Sequence, residues 1–220
     1  PWLGVGMATG VYDIPAAFVK LRAAYTNTVP VDAYRGAGRP EAAYVIERLV
    51  DTIARELESA SDWLRRRNFI KSKAMPYKTP TGKIYDSGDF SAHLGRAQDM
   101  IDWTGFKKRA AAARKRGKLR GIGISTYIEA CGASSPETAT VKMDGKGDVT
   151  VIIGTQSTGQ GHATAYAQLV AEQLGLPPER VHMIQGDTDR VATGGGTGGS
   201  SSIPCGGASL AGATRKLADQ

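Results

Sequence analysis

The apolar positions of this chain alternate between two periods. Ile46, Leu49, Val50, Ile53 and Leu57 recur at helical spacing after Pro40, which suits a first helical turn, and predict an amphipathic helix to about Ser59. Ser61 to Asn68 continues as a short basic helix. Residues 71–90, with Pro76, Pro80, Gly82 and Gly88, form a long connection. Residues 91–116 are helical again, with Leu94, Ala97, Met100 and Ile101 on one side. Residues 1–39 read as strands and turns, with 26–30 extended. Composition changes at Gly117. Beyond it the period drops towards two: a stretch rich in Ile and Gly from Leu119 to Tyr127 precedes strands at Ala139 to Asp144 and at Val149 to Ile153. The turn Asp144-Gly145-Lys146-Gly147-Asp148 joins the last two as a hairpin. A helix begins at His162, carries Ala163, Tyr166, Ala167, Val170 and Leu174 on one face, and stops at Gly175 before Pro177-Pro178. A strand at Val181 to Gln185, a glycine tract and a helix from about Gly206 complete an α+β pattern.

Two glycine-rich turns stand between strand and helix. One is Gly154 to Thr164, centred on Gly159-Gln160-Gly161. The other, Thr193 to Ser202, follows about thirty residues later, the length of a strand–helix–strand return to one sheet edge. Such turns let backbone N–H groups and a helix N-terminus face an anion. Two of them suggest a large phosphorylated cofactor. A linker is disfavoured for the tract, because it lies between a strand and a helix. Gly-Lys-Ser/Thr and Gly-x-Ser-x-Gly are absent, which disfavours a P-loop and a serine nucleophile.

Side-chain chemistry narrows little further. Gln160 is either a helix-start turn residue or an amide for a cofactor's polar edge. Arg35, in the loop Arg35-Gly36-Ala37-Gly38-Arg39, is either a surface arginine or an anion contact. Ser200, Ser201 and Ser202 can each donate to a phosphate. Glu129 reads as a satisfied strand-end glutamate rather than an acid or base. His93, His162 and His182 lack metal spacing, His162 reads as structural, and Cys131 and Cys205 cannot build a zinc or iron–sulfur ligand set.

The 220 residues suffice for one large or two small domains, and 41% hydrophobic with 22% charged residues suit a soluble globular protein. The net charge of +7 sits largely in short basic runs at 65–67, 107–109 and 114–116. These read as solvated helix faces or as surface covered by an acidic partner. Nucleic-acid binding lacks interleaved aromatics and any motif. No run of about eighteen apolar residues suggests a membrane span, and a cytoplasmic location is the default expectation. The start at Pro1-Trp2-Leu3 and the helix-like end suggest a piece of a longer chain.

Four elements occur in order: Ala33-Tyr34-Arg35-Gly36-Ala37-Gly38-Arg39-Pro40-Glu41-Ala42; Leu64-Arg65-Arg66-Arg67-Asn68-Phe69-Ile70; Gly159-Gln160-Gly161-His162-x-Thr164; and Gly186-Asp187-Thr188-Asp189 followed by Gly198-Gly199-Ser200. The set resembles the molybdopterin-binding large subunit of the xanthine dehydrogenase, aldehyde oxidase and carbon monoxide dehydrogenase family. It covers essentially the whole chain. The resemblance implies parts of two molybdopterin-binding subdomains, 1–117 and 118–220, with mixed sheets and packed helices. It implies a molybdenum hydroxylase acting on an aldehyde or N-heterocycle, with water as the oxygen source and electrons leaving through iron–sulfur and FAD domains or subunits. The cofactor implied is molybdopterin with molybdenum, in bacteria the cytosine dinucleotide form. By the same resemblance, Arg35, Gly36 and Ala37 lie at the molybdenum. Gly159, Gln160, Gly161 and Thr164 contact the pterin or its phosphates. Gly199, Ser200 and Ser202 hold the other side, and Tyr127 lies near the substrate channel.

Departures from the family pattern shape the expectation. The family's catalytic glutamate lies in a Gly-x-Gly-Glu context; here Gly4-Val5-Gly6 is followed by Met7. The glutamine-containing loop at the metal is also missing, so no catalytic residue and no metal ligand is assigned, and the isolated chain is expected to be inactive. Ala60-Ser61 replaces the usual Asp-Pro, and Ser201 stands where an arginine is common. Gly36 occupies the place of the cysteine in carbon monoxide dehydrogenases, which argues against carbon monoxide as substrate. The alternative is a non-catalytic cofactor-binding or interaction module of the same fold.

Overall fold

The structure, a computed structural model, describes residues 2–30, 32–132 and 137–220. It is α+β and divides into two compact units, Pro1–Glu129 and Ala130–Gln220.

In the first unit, α1 (Trp2–Gly6) precedes α2 (Arg39–Glu56), α3 (Ser61–Asn68), a hairpin of the two-residue strands β1 (Tyr77–Lys78) and β2 (Ile84–Tyr85), α4 (Phe90–Met100) and α5 (Phe106–Arg114). Its core gathers Val11, Tyr12, Ile46, Val50, Ala54, Leu64, Phe69 and Leu94, with Ile124 and Ile128 packed against it. Phe69 stacks on Tyr12 with ring centroids 5.7 Å apart.

The second unit is built on a three-stranded sheet: β3 (Ala139–Met143), β4 (Val149–Ile153) and β5 (Val181–Ile184), in that order. β3 and β4 are antiparallel and joined by the Asp144–Asp148 turn, whose ends are closed by the Asp144 N–H donating to Asp148 O at 3.0 Å. β4 and β5 are parallel, so the connection between them must cross over, and α6 (His162–Leu174) makes that crossover. Alternation puts Val149, Val151 and Ile153 on the buried face, where Tyr166 and Val170 of α6 and Leu210 of α7 (Ala208–Ala218) meet them. α6 ends at Gly175 in the left-handed conformation, as its sequence requires.

Three local expectations are corrected. Residues 1–39 contain a helix, α1, and no ladder among the described residues; only Tyr12 bridges to Phe69. Pro1 and Val31 lie outside the described residues. The helical stretch 91–116 is two helices. Asp102, at φ +48°, turns the chain left-handed after α4, and its carboxylate accepts from the Gly105 N–H at 3.2 Å, opening α5. Of the apolar side expected there, Leu94 is buried while Ala97, Met100 and Ile101 are exposed. On α2 the buried stripe is Ile46, Glu47, Val50 and Ala54, leaving Leu49, Ile53 and Leu57 exposed. The stripe turns towards Glu47 because that carboxylate is held in a buried polar network.

Candidate cofactor site

The glycine-rich turns of the second unit form one structure. β4 ends at Ile153. Gly154 then runs so close to the tract that a Cβ on it would lie 2.3 Å from the Gly194 Cα, and the reverse is equally true. Only two glycines permit that approach. The Thr197 hydroxyl donates to Gln156 O at 2.6 Å, which fixes the tract beside the strand end. Ser201 closes the tract on itself: both its N–H, at 3.2 Å, and its Oγ, at 2.7 Å, donate to Gly198 O. Gly199 and Ser200 take φ of +60° and +57°, so two successive left-handed residues turn the chain into the π-helical segment Ser202–Gly207 before α7.

Tyr166 anchors both arms. Its hydroxyl donates to Ser202 O at 2.8 Å and sits 2.9 Å from the Thr155 hydroxyl, which must then be the donor in that pair. Burial pushes the Tyr166 hydroxyl above its ordinary pKa, so it stays a donor. Gly206 passes 2.9 Å from this hydroxyl at its would-be Cβ, which explains glycine there. Sequence pattern identifies Tyr166 only as a core residue of α6. Its anchoring hydroxyl has no local signal, because both partners are distant in sequence.

α6 opens with Gly159 at φ +108° and Gly161 at φ +79°, and no side chain caps its first turn. The amides of His162, Ala163 and Thr164 have no acceptor within the helix. A Cβ on Gly159, Gly161 or Gly198 would meet no atom within 4 Å, so these glycines border open space rather than protein. Gln160 and Thr164 are exposed. The Gln160 Oε1 accepts from the Thr158 N–H and, at 3.4 Å, from the Ser157 hydroxyl, which leaves its NH2 group for an outside acceptor. His162 is 5% exposed, packs on Tyr166 at 5.3 Å, and its Nδ1 has no hydrogen-bond partner in the protein. A buried, unpartnered ring nitrogen in the first turn of a helix is costly unless something else meets it. Uncapped amides and open space before two left-handed glycines suit an anionic, hydrogen-bonding ligand such as a pterin phosphate.

In the first unit, Gly36, Ala37 and Gly38 take φ of +94°, +49° and +97° in succession. Arg35 is exposed at the head of this loop. Ala37 and Gly38 line a cavity of about 730 Å³ together with Leu3, Val5, Val19 and Glu41. Tyr127 is 70% exposed. It lies on the segment 119–130, which from 121 onward alternates exposed and half-buried positions as a strand does, with no strand partner among the described residues. This segment is tied to α2 by a buried network. Glu47 accepts from the Tyr12 hydroxyl, from the Thr126 N–H at 2.9 Å and from Arg65 Nε at 2.9 Å. Arg65, fully buried, also reaches Asp51 Oδ1 at 3.0 Å and Ile124 O at 3.2 Å. Burial first, and then the hydrogen bond to Glu47, holds the Tyr12 hydroxyl well above its usual pKa. Glu129 is ion-paired with Arg39 at 2.6 Å, a satisfied carboxylate. The Gln160 and Ser200 arms thus share one unit, while the Arg35 loop and the Tyr127 segment share the other.

Comparison with known proteins gives this geometry a family. Two domain families, each described as a molybdopterin cofactor-binding domain, match residues 96–220 and 1–69. The nicotine 6-hydroxylase large subunit of Paenarthrobacter nicotinovorans is 39% identical over 87% of this chain and 25% of its own length. The carbon monoxide dehydrogenase large chain of Hydrogenophaga pseudoflava is 37% identical over 96% of this chain and 28% of its own. Among solved structures, reconstituted CO dehydrogenase from Oligotropha carboxidovorans superposes with a TM-score of 0.84 at 38% identity, covering 97% of this chain and 29% of that one. The chain therefore spans about a quarter of the length of the curated relatives it matches. With two matching domain families and relatives along almost its whole length, the chain belongs to the molybdopterin cofactor-binding family of the xanthine dehydrogenase, aldehyde oxidase and carbon monoxide dehydrogenase large subunits.

Proposed function

We propose that this chain is the cofactor-holding part of a molybdenum hydroxylase large subunit. The observation that carries the proposal is the open α6 N-terminus, with its uncapped amides and the open space before Gly159 and Gly161, in a member of this family. On this reading the first-turn amides of α6, Gly159, Gln160, Gly161 and Thr164 receive the pterin and its phosphates from one side. Gly199, Ser200 and Ser202 hold them from the other. The left-handed loop Arg35-Gly36-Ala37 faces the metal end, and Tyr127 lines the approach of the substrate. The cofactor is a molybdopterin in its cytosine dinucleotide form, and when bound it supplies oxygen transfer from water and acceptance of the substrate's electrons. The chain's own residues orient that group, hold its charge and shape the approach; none of them is assigned as the proton-accepting base. The substrate is an aldehyde or N-heterocycle. Gly36 supports this, since it stands where the family's carbon monoxide enzymes carry cysteine. Electrons pass to iron–sulfur and FAD domains or subunits, and the assembly works in the cytoplasm. No helix among the described residues is long and apolar enough to cross a membrane.

The test is purification of the full-length subunit with its partners, followed by assay of molybdenum, released pterin and released nucleotide per mole. Dye-linked oxidation of aldehydes and N-heterocycles is then measured. Near-stoichiometric molybdenum with cytidine nucleotide and turnover of one substrate class is the expected result. Cofactor without turnover of any such substrate would leave a binding module, and no cofactor at all would overturn the proposal.

A further inference from the structure

Three successive left-handed residues precede α2, in a loop where the Ala37 N–H donates to Tyr34 O at 2.6 Å. Ala37 in particular carries a Cβ into a conformation that costs an ordinary residue stability. The loop is also crowded, since a Cβ on Gly36 would lie 2.4 Å from the Pro40 Cγ. Arg39, the first residue of α2 and 7% exposed, braces it further. Its backbone N–H donates to Gly36 O at 3.1 Å, and its side-chain Nε donates to the same oxygen at 2.8 Å. Its Nη1 meets the Glu129 carboxylate at 2.6 Å. One planar guanidinium thus spans the carbonyl of the strained loop and a residue two positions beyond Tyr127. A lysine, a single point charge, cannot make both bonds in that fork geometry.

We propose that Arg39 is a positioning residue: with Glu129 it latches the left-handed loop Gly36–Gly38 to the segment that carries Tyr127, and so fixes the spacing between the two. Glu47 and Arg65 already pin that segment at Thr126 and Ile124, and the latch acts two residues beyond Tyr127. Glu129 is about one-third exposed, which lets the pair be altered without opening the core. The proposal rests on the reading of these two segments as the metal-end loop and the substrate approach, but its central geometric claim does not.

The test uses the full-length subunit in its native complex, with Arg39→Met, Arg39→Lys, Glu129→Gln and the exchange Arg39→Glu/Glu129→Arg. Hydrogen exchange at the Ala37 and Arg39 amides is expected to quicken by about tenfold or more in Arg39→Met, the loss of a charge-assisted bond. Arg39→Lys and Glu129→Gln are expected to show smaller increases. Turnover is expected to fall in kcat more than to rise in KM, with molybdenum content kept. Wild-type exchange at these amides in folded Arg39→Met and Glu129→Gln would overturn the latch. If Arg39→Met does not fold, Glu129→Gln alone decides, by the same exchange readout. A wild-type subunit without molybdenum or pterin would defeat the functional reading instead, and the exchange data would still judge the latch.

Discussion

The glycines of the second unit separate into two kinds, and alanine substitution should tell them apart. Gly161 has φ +79° and open space before its would-be Cβ; Gly194 would place a Cβ 2.3 Å from the Gly154 Cα. For Gly161→Ala the only folded-state cost is the left-handed backbone, about 1–2 kcal/mol. The stiffer unfolded chain offsets about 0.4–1 kcal/mol of that. The net is near 1 kcal/mol, a shift of a few degrees in the melting temperature. For Gly194→Ala two backbones must separate by more than an ångström, and the strand end, Thr197 and Gln156 must move with them. Overpacking of this sort costs about 1–3 kcal/mol, and rigid backbone on both sides places it at the upper end or beyond. Cofactor retention is expected to divide differently. Gly161→Ala puts a methyl group into the open space before the α6 amides and should lose molybdenum and pterin while staying folded. The assay is thermal unfolding beside molybdenum and pterin content of the purified full-length subunit. Full retention in Gly161→Ala would refute the cradle, and a Gly194→Ala variant as stable as the parent would refute the close backbone packing.

Other outcomes follow from the same geometry. Gln160→Ala should lower cofactor content in a folded subunit, since it removes an amide worth roughly 1–3 kcal/mol if its partners are left unpaired; wild-type content would make Gln160 a turn residue only. Arg65→Met should destabilise the first unit by about 3–5 kcal/mol in denaturant unfolding, because it strips the buried Glu47 of its charged partner; a loss below about 1 kcal/mol would show that Tyr12 and Thr126 suffice. The Tyr12 hydroxyl is held above its ordinary value, and the Tyr85 hydroxyl, desolvated by burial, is pushed up to about 12. Both bind their protons more tightly folded than unfolded. Their stabilisation is therefore complete below about pH 10, the unfolded tyrosine value, and is lost as pH rises towards the folded values. Tyr85→Phe should flatten that alkaline loss in pH-dependent melting, and an unchanged slope would contradict the assignment.

How much of this was legible beforehand depended on whether the signal was local. The helices α2, α3 and α6 and the β3–β4 hairpin declare themselves through spacing, Pro40, Gly175 and the Asp144–Asp148 turn. The two glycine turns did so through composition. What escaped depends on partners far along the chain. Glu47 redirects the buried stripe of α2 because Arg65 and Thr126 reach it, and no period of apolar residues records that. Residues 121–130 carry a strand's alternation, yet alternation supplies no partner strand. The hydroxyl of Tyr166 anchors Thr155 and Ser202, and a burial pattern shows only that the ring is buried. The part played by Arg39 depends on Gly36 O and Glu129 on either side of its guanidinium, and Glu129 lies ninety residues away in sequence.

The central claim is that the α6 N-terminus and the glycine tract together hold a phosphorylated pterin. Hydrogen exchange on the full-length subunit, with cofactor and after its removal, tests this most directly. Fixing the glycine tract costs on the order of 1–2 kcal/mol per residue in backbone entropy, which the ligand's hydrogen bonds must offset. The amides of His162 to Thr164 and of Gly194 to Ser202, apart from the Ser201 amide already bonded to Gly198 O, are expected to be protected with cofactor and to exchange rapidly without it, while those of β4 stay protected in both. Equal protection of the two glycine-rich segments in both forms would show a self-supporting turn and contradict the account.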